Sequence, residues 1–391
     1  MSDAPARREP RRLVWFLPPL ALLVAVALWL GIANPLQNFG NGAPPVENLT
    51  FERVILDEGG LRLLVRAGGS DPMQIAQVQV DAAYWEFTQT PAGALGRGSS
   101  AWLAVPFPWM LGEAHVVTLV TGTGTTFSHE IAVAVPSPKA TSNQLRSQAT
   151  VGLLVGVVPV VLGLMFFPLL RGVGRNGMNF LLSLTVGLLV FLLIDTADDA
   201  FEIAATAAAI FQAPVMVLLV ALASFLALMA VGPRHGATSG LGLAGFIALG
   251  IGLHNFGEGL AIGAAFAVGS AGLGTFLVLG FTLHNITEGI GIAAPMLKER
   301  PPFRAFAGLA LLAGGPAVLG MWAGSLAFSP QWAAFALAVG AGAILQVVVQ
   351  VGAYLIRVSP AGLDVVFTPA VMSGLAAGLG LMYATAALVK I

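Results

Sequence analysis

Two short stretches carry residues that can do chemistry: His254-Asn255-Phe256-Gly257-Glu258-Gly259 and His284-Asn285-Ile286-Thr287-Glu288-Gly289. In each, a His stands four residues before a Glu, so on an α-helix of about 3.6 residues per turn the pair shares one face. The Asn after each His lies about 100° round the helix and reaches a neighbouring position. Both stretches sit inside long apolar runs. A charged side chain at the centre of a bilayer helix costs roughly 2.5–3.5 kcal/mol on insertion scales, so matched pairs need a compensating partner. Two such helices packed side by side would gather two imidazoles, two carboxylates and two amides near the bilayer midplane. That set suits a cation, and the recurrence of the whole pattern favours a metal site over two interhelical hydrogen-bond pairs.

The elements that must position these residues are membrane helices. The chain has 391 residues, 57% hydrophobic and 9% charged, against about 25% charged in a soluble domain. Its composition is that of a polytopic membrane protein, and its 48 glycines suit close helix packing in lipid. The net charge of −1 gives no case for nucleic-acid binding. There is no cysteine, so any metal must be held by nitrogen and oxygen.

Residues 1–34 read as a basic tail (Arg7, Arg8, Arg11, Arg12) and an apolar run from Leu13 to about Ala33. Positive-inside logic leaves the tail in the cytoplasm and the run as an uncleaved anchor; a cleaved signal peptide is the alternative, without an obvious A-x-A site. A linker, 34–45, follows. Residues 46–136 alternate in short runs: Val54–Leu56, Leu61–Val65, Ile75–Val80, Trp102–Val105, Val116–Val120 and Ile131–Val135. They read as a small extracytoplasmic β-sandwich with Trp85, Trp102 and Trp109 in its core. There His115 and His129, with Glu113 and Glu130, are either an accessory metal site or, the favoured reading, ordinary strand and loop residues.

Residues 148–391 hold eight apolar segments: 148–170, 179–201, 213–232, 240–268, 271–297, 303–327, 331–356 and 365–389. If the sandwich is outside, the inner loops carry Arg171, Arg175, Arg234, Lys298, Arg300, Arg304 and Arg357. The outer loops within the bundle carry no Lys or Arg, the asymmetry expected of eight spans plus an anchor. Asp195, Asp198, Asp199 and Glu202 lie at the outer end of the second segment. They are either a funnel that concentrates cations, with Asp195 deepest on the pathway, or a solvated helix end. Gln346 and Gln350, four apart on the seventh segment, either line the pathway or bond a neighbouring helix. Pro295 is expected to kink the fifth segment and free a carbonyl. Gly259 and Gly289 are expected to let the two motif helices approach each other.

At its double motif, HNFGEG and HNITEGIGIAAP, the chain resembles the ZIP family of divalent metal transporters. The resemblance spans about residues 148–391, including the GAGA of the seventh segment, and not the sandwich. It implies an eight-helix bundle in which His254, Glu258, His284 and Glu288 ligate the metal. It also implies that Asn255 and Asn285 serve an adjacent position, that the two carboxylates can bridge two ions, and that transport proceeds by alternating access into the cytoplasm. The chain departs from the family pattern in several places. Gly257 and Thr287 replace the Pro that usually precedes the Glu. Leu312-Ala313-Gly314-Gly315-Pro316 lacks the sixth-helix carboxylate. Gln350 stands where a Glu is common, and the His-rich inner loop is reduced to Pro233-Arg234-His235-Gly236. One site centred on two His and two Glu is therefore expected rather than a full binuclear centre.

The reading is a transporter, not an enzyme, for Zn²⁺, Fe²⁺, Mn²⁺ or Co²⁺, with the ion as cargo and no organic cofactor. It would sit in the plasma membrane with residues 46–136 outside; its partners are metal cations and the lipid bilayer, and a homodimer is compatible with it. No P-loop pattern is present, so transport would follow the gradient or couple to ligand deprotonation. Two rivals stand beside it. An intramembrane zinc protease is disfavoured, because the spacing is not H-E-x-x-H. A non-transporting metal sensor or receptor with a relic bundle is suggested by the missing sixth-helix carboxylate.

Overall fold

A computed structural model describes residues 16–33, 46–231, 240–267 and 271–389. The basic tail, the linker 34–45, the loop with Arg234 and His235, and Lys390 lie outside the described residues. The chain divides into two units, Met1–Val46 and Glu47–Ile391. The first contains helix α1, Leu17–Ala33, of 17 residues. Its prolines, Pro18 and Pro19, fall in the first turn, where the backbone N–H has no partner to lose. It is shorter than the eight helical spans, among the described residues of the second unit, that are long and apolar enough to cross a membrane.

The second unit begins with eight strands: β1 (Leu49–Asp57), β2 (Gly60–Ala67), β3 (Ile75–Val80), β4 (Ala83–Trp85), β5 (Thr88–Thr90), β6 (Ser100–Val105), β7 (His115–Thr121) and β8 (Thr126–Ile131). They form two four-stranded sheets ordered β1-β2-β6-β5 and β4-β3-β7-β8, with every named pairing antiparallel. The period-two alternation of a strand turns Leu61, Leu63 and Val65 of β2, Leu103 and Val105 of β6, and Val117 and Leu119 of β7 into one buried core. The same alternation overturns one expectation. Trp102 lies between the inward Ala101 and Leu103, so it faces away from the core, whereas Trp85 and Trp109 pack against it. The run Ile131–Val135 is not a strand. Beyond Ile131 the chain folds back, and Ala134 N–H donates to Glu113 O at 2.7 Å. Strands β4 and β5, three residues each, are too short to show alternation in the sequence.

The bundle follows: α2 (Ser142–Gly152), a π-helical turn Leu153–Val157, α3 (Val158–Leu164), α4 (Phe167–Leu170), α5 (Arg175–Thr206), α6 (Ala213–Val231), α7 (Gly240–Ala267), α8 (Ala271–Ala293), α9 (Phe303–Gly314), α10 (Pro316–Ala327), α11 (Pro330–Val358) and α12 (Pro369–Val389). They make eight candidate spans, α2–α4 forming the first and α9–α10 the sixth. The chain is thus a polytopic helical membrane protein with a small two-sheet β domain.

Two spans are broken where proline removes a backbone donor. Pro159 cannot donate to Val155 O, and the π turn sits there. Pro316 cannot donate to Leu312 O, and α9 gives way to α10. Pro295 lies in the 3₁₀ turn Ala294–Met296 that ends α8; it terminates the helix rather than kinking its middle.

The motif helices α7 and α8 each pack on a different small-residue partner. A Cβ on Gly259 would lie 2.1 Å from Ala317 O of α10, and one on Gly289 would lie 2.4 Å from Val160 O of α3. These glycines therefore do not serve the α7–α8 approach expected of them. Each brings its helix against one of the two broken spans.

Candidate metal centre

Each broken span is tied to the motif helix that carries a neighbouring asparagine. Asn255 Nδ2 donates to Ala313 O, at the end of α9, at 3.0 Å. Asn285 Nδ2 donates to Val155 O, inside the π turn, also at 3.0 Å. Side-chain amides thus satisfy backbone carbonyls where the helical ladder is interrupted, which is how such breaks persist in an apolar medium. The tethers hold α7 and α8 in fixed rotation, and that sets where their His and Glu side chains lie.

Glu258 is at the middle of what results. Its Oε1 accepts from His254 Nε2 at 3.1 Å and from His284 Nε2, and its Oε2 accepts from Asn285 Nδ2 at 3.1 Å. The two imidazole centroids are 6.4 Å apart. One ligand atom from each of His254, Glu258 and His284 falls within 4.8 Å of the others, and all three residues are buried. Thr196 of α5 meets His254 Nδ1 at 2.7 Å. A partner on the far nitrogen fixes the ring's orientation and tautomer. Thr196 and Glu258 thus partner both ring nitrogens of His254. A cation on the two Nε2 atoms and Oε1 would take the place of the protons now between them, so binding would release protons.

Glu288 lies outside this trio. It lines a void of about 10 Å³ with Thr185, Leu188, Leu192, Ile251 and Met382. The Asn255 amide approaches Glu288, but neither carboxylate oxygen makes a hydrogen bond of ordinary geometry among the described residues, nor do Asn255 Oδ1 and Asn285 Oδ1, although all four atoms are buried. Buried acceptors without donors are costly, and a cation is a group that would satisfy them. Of the four expected ligands, the structure gathers three and sets Glu288 apart with the two amide oxygens unpaired.

The trio is reached from the sandwich side through a cavity of about 620 Å³, lined by His254 and Glu258 at its floor and by Asp195, Asp199 and Glu202 along α5. These three carboxylates follow a helical face, and Asp198 is absent from the lining. On the opposite side of the motif, Leu243, Ile247, Ile251, Ile292 and Met296 are closed into the bundle core. Gln346 is buried and Gln350 half-buried on α11, but neither lines the cavity at His254 and Glu258 or the void at Glu288.

In the sandwich, His115 is buried, and its Nδ1 bonds Asp81 Oδ2 at 2.7 Å. Its Nε2 is 4.0 Å from Glu113. His129 stacks on Phe51 with centroids 5.2 Å apart. Among the described residues, only His254, Glu258 and His284 converge as metal ligands do; His115, His129, Glu113 and Glu130 are not brought together in that way. Thr196 and the carbonyls of Val155 and Ala313 belong to the centre without any signal in residue spacing. No protein-family model matches the chain, and no curated protein matches it.

Proposed function

We propose that the protein moves divalent transition-metal cations across its membrane through His254, Glu258 and His284, in the manner of the ZIP transporters its double motif resembles. The observation that carries this reading is the convergence of three buried ligand atoms from two helices, with His254 and Glu258 of α7 at the floor of a cavity open toward the sandwich and His284 of α8 beside them. Two imidazoles and a carboxylate form a set that binds Zn²⁺, Fe²⁺, Mn²⁺ or Co²⁺. Glu288 with the Asn255 and Asn285 oxygens is a second, adjacent position on the same route. The cavity leads in from the sandwich side, and the far side is packed, so this is the outward-facing arm of an alternating-access cycle. The basic residues Arg171, Arg175, Lys298, Arg300, Arg304 and Arg357 cluster in connections at the other end, which by positive-inside logic is cytoplasmic. Transport then runs inward, across the plasma membrane, with the sandwich outside.

The test is uptake of Zn²⁺, Mn²⁺ and Fe²⁺, each alone, into proteoliposomes under an imposed gradient. Saturable flux in the wild type that is lost in His254→Ala and Glu258→Ala supports the reading. Flux unchanged in both variants would make the motif structural. No flux for any ion in the wild type would favour a metal sensor built on the same centre.

A further inference from the structure

The β domain is seated on the bundle at the mouth of the cavity. Glu52 is buried, accepts from Arg66 Nε at 2.6 Å and Nη2 at 3.0 Å, and accepts from Gln331 Nε2 at the start of α11 at 3.1 Å. Arg66 also lies over the ring of Phe211, 5.3 Å from its centroid, in the turn before α6. The neighbouring Arg53 donates to Leu326 O in the last turn of α10. Carbonyls there lack an intrahelical partner and favour a cation.

Strict strand alternation would send Glu52 and Arg53 to opposite faces. The register of β1 against β2 slips between Phe51 and Arg53, and a bulge of this kind re-aims side chains. Consecutive residues Phe51, Glu52, Arg53 and Val54 consequently all line the cavity, together with His129 from β8. The same cavity has His254 and Glu258 of the metal trio at its floor and three carboxylates along one wall.

We infer that the β domain is a working part of the access route: cations reach the centre between sandwich and bundle, past the bulged segment Phe51–Arg53. Arg53 is the fixed positive charge there that opposes Asp195, Asp199 and Glu202 in setting how strongly the cavity concentrates cations. An Arg is never neutral in this setting, and at short range in a confined cavity its field reaches the whole lumen. The sandwich then tunes the concentration of ions arriving at the floor without touching the bound ion. This inference rests on reading the trio as a cation site; the measurement that follows reads only the cavity.

The chain has no cysteine, so Ala264→Cys, on the cavity-lining face of α7, introduces a single thiol. Its modification rates by a cationic and an anionic methanethiosulfonate of equal size, in reconstituted full-length protein, report access and local potential. The cationic reagent should react faster. Adding Arg53→Gln should raise the cation-to-anion rate ratio by about three- to tenfold, the scale of one unit charge across a water-filled cavity, and Arg53→Lys should leave it near the starting value. An unreactive thiol, or a ratio that Arg53→Gln does not move, would overturn the inference. Thiol chemistry needs no transport, so failure here leaves metal flux to be judged by the uptake assay, and failure of uptake leaves the route to be judged by the thiol.

Discussion

At Glu258 a single carboxylate oxygen faces two imidazole nitrogens, and that crowding makes the orientation of each ring decisive. His254 is aimed by Thr196, a residue that touches no proposed ligand position of its own. Thr196→Val keeps the shape and removes the hydroxyl, so metal affinity should fall about 10- to 100-fold with the fold intact, as for other outer partners of ligating histidines. Calorimetric titration with Zn²⁺ alongside thermal unfolding would check it, and unchanged affinity would show that packing alone orients the ring. A second residue-scale expectation concerns Asp81. Burial opposes its charge, but the Val116 N–H and His115 outweigh that and hold its carboxyl below the ordinary range. A carboxylate with a lowered native pKa contributes stability above its unfolded value, near 4, and loses it as pH falls through the native value. Asp81→Asn should therefore lower the melting temperature at pH 7, and the gap from wild type should narrow as pH falls below the ordinary carboxylate range and through the lowered native value; a gap independent of pH would mean the carboxylate charge is not involved. The His, Asn and Glu of the centre were legible because their types and spacing recur. Thr196 was not, because one hydroxyl in an apolar helix has no period to betray it.

Helices read as hydropathy, and all eight spans could be placed from the sequence to within a few residues. The interruptions at Pro159 and Pro316 were not read, because what makes them tolerable is distant. The donor to Val155 O is 130 positions away in Asn285. Which glycines matter was also hidden, since a glycine's role depends on the backbone it meets. Gly259 sits against Ala317 O, whereas Gly245, on the same helix, has nothing near its missing Cβ. Gly259→Ala must push α7 from α10 and should cost about 1–3 kcal/mol, as overpacking of a tight contact does. Gly245→Ala should be neutral or stabilising by about 0.5–1 kcal/mol, the helix preference of alanine over glycine. Detergent-stability melts of the two variants side by side would decide it. Equal behaviour would contradict the packing of α7 on α10 described above.

The sandwich was recognisable as a domain from its alternating strands, but not as a seated one. Glu52, Arg53 and Arg66 carry no spacing signal of their own, and the slip that turns Glu52 inward leaves no mark in composition. In the folded chain Glu52 is 5% exposed and is shared between Arg66 of its own sheet and Gln331 of the bundle. Removing one partner of a buried, hydrogen-bonded charge leaves the other uncompensated. Glu52→Ala should therefore loosen the seat rather than unfold the sandwich, whose core of Leu61, Leu63, Leu103 and Leu119 lies elsewhere. Hydrogen exchange should rise at the β1 amides and at the first turns of α11 while β6 and β7 stay protected. Glu52→Gln, which can still accept one hydrogen bond, should fall between the two. If β1 and α11 keep wild-type protection in Glu52→Ala, the domain is held by apolar packing instead. If β6 and β7 lose protection as well, Glu52 belongs to the stability of the sandwich itself. Only selective loosening fits a domain whose charged edge is a seat on the membrane bundle.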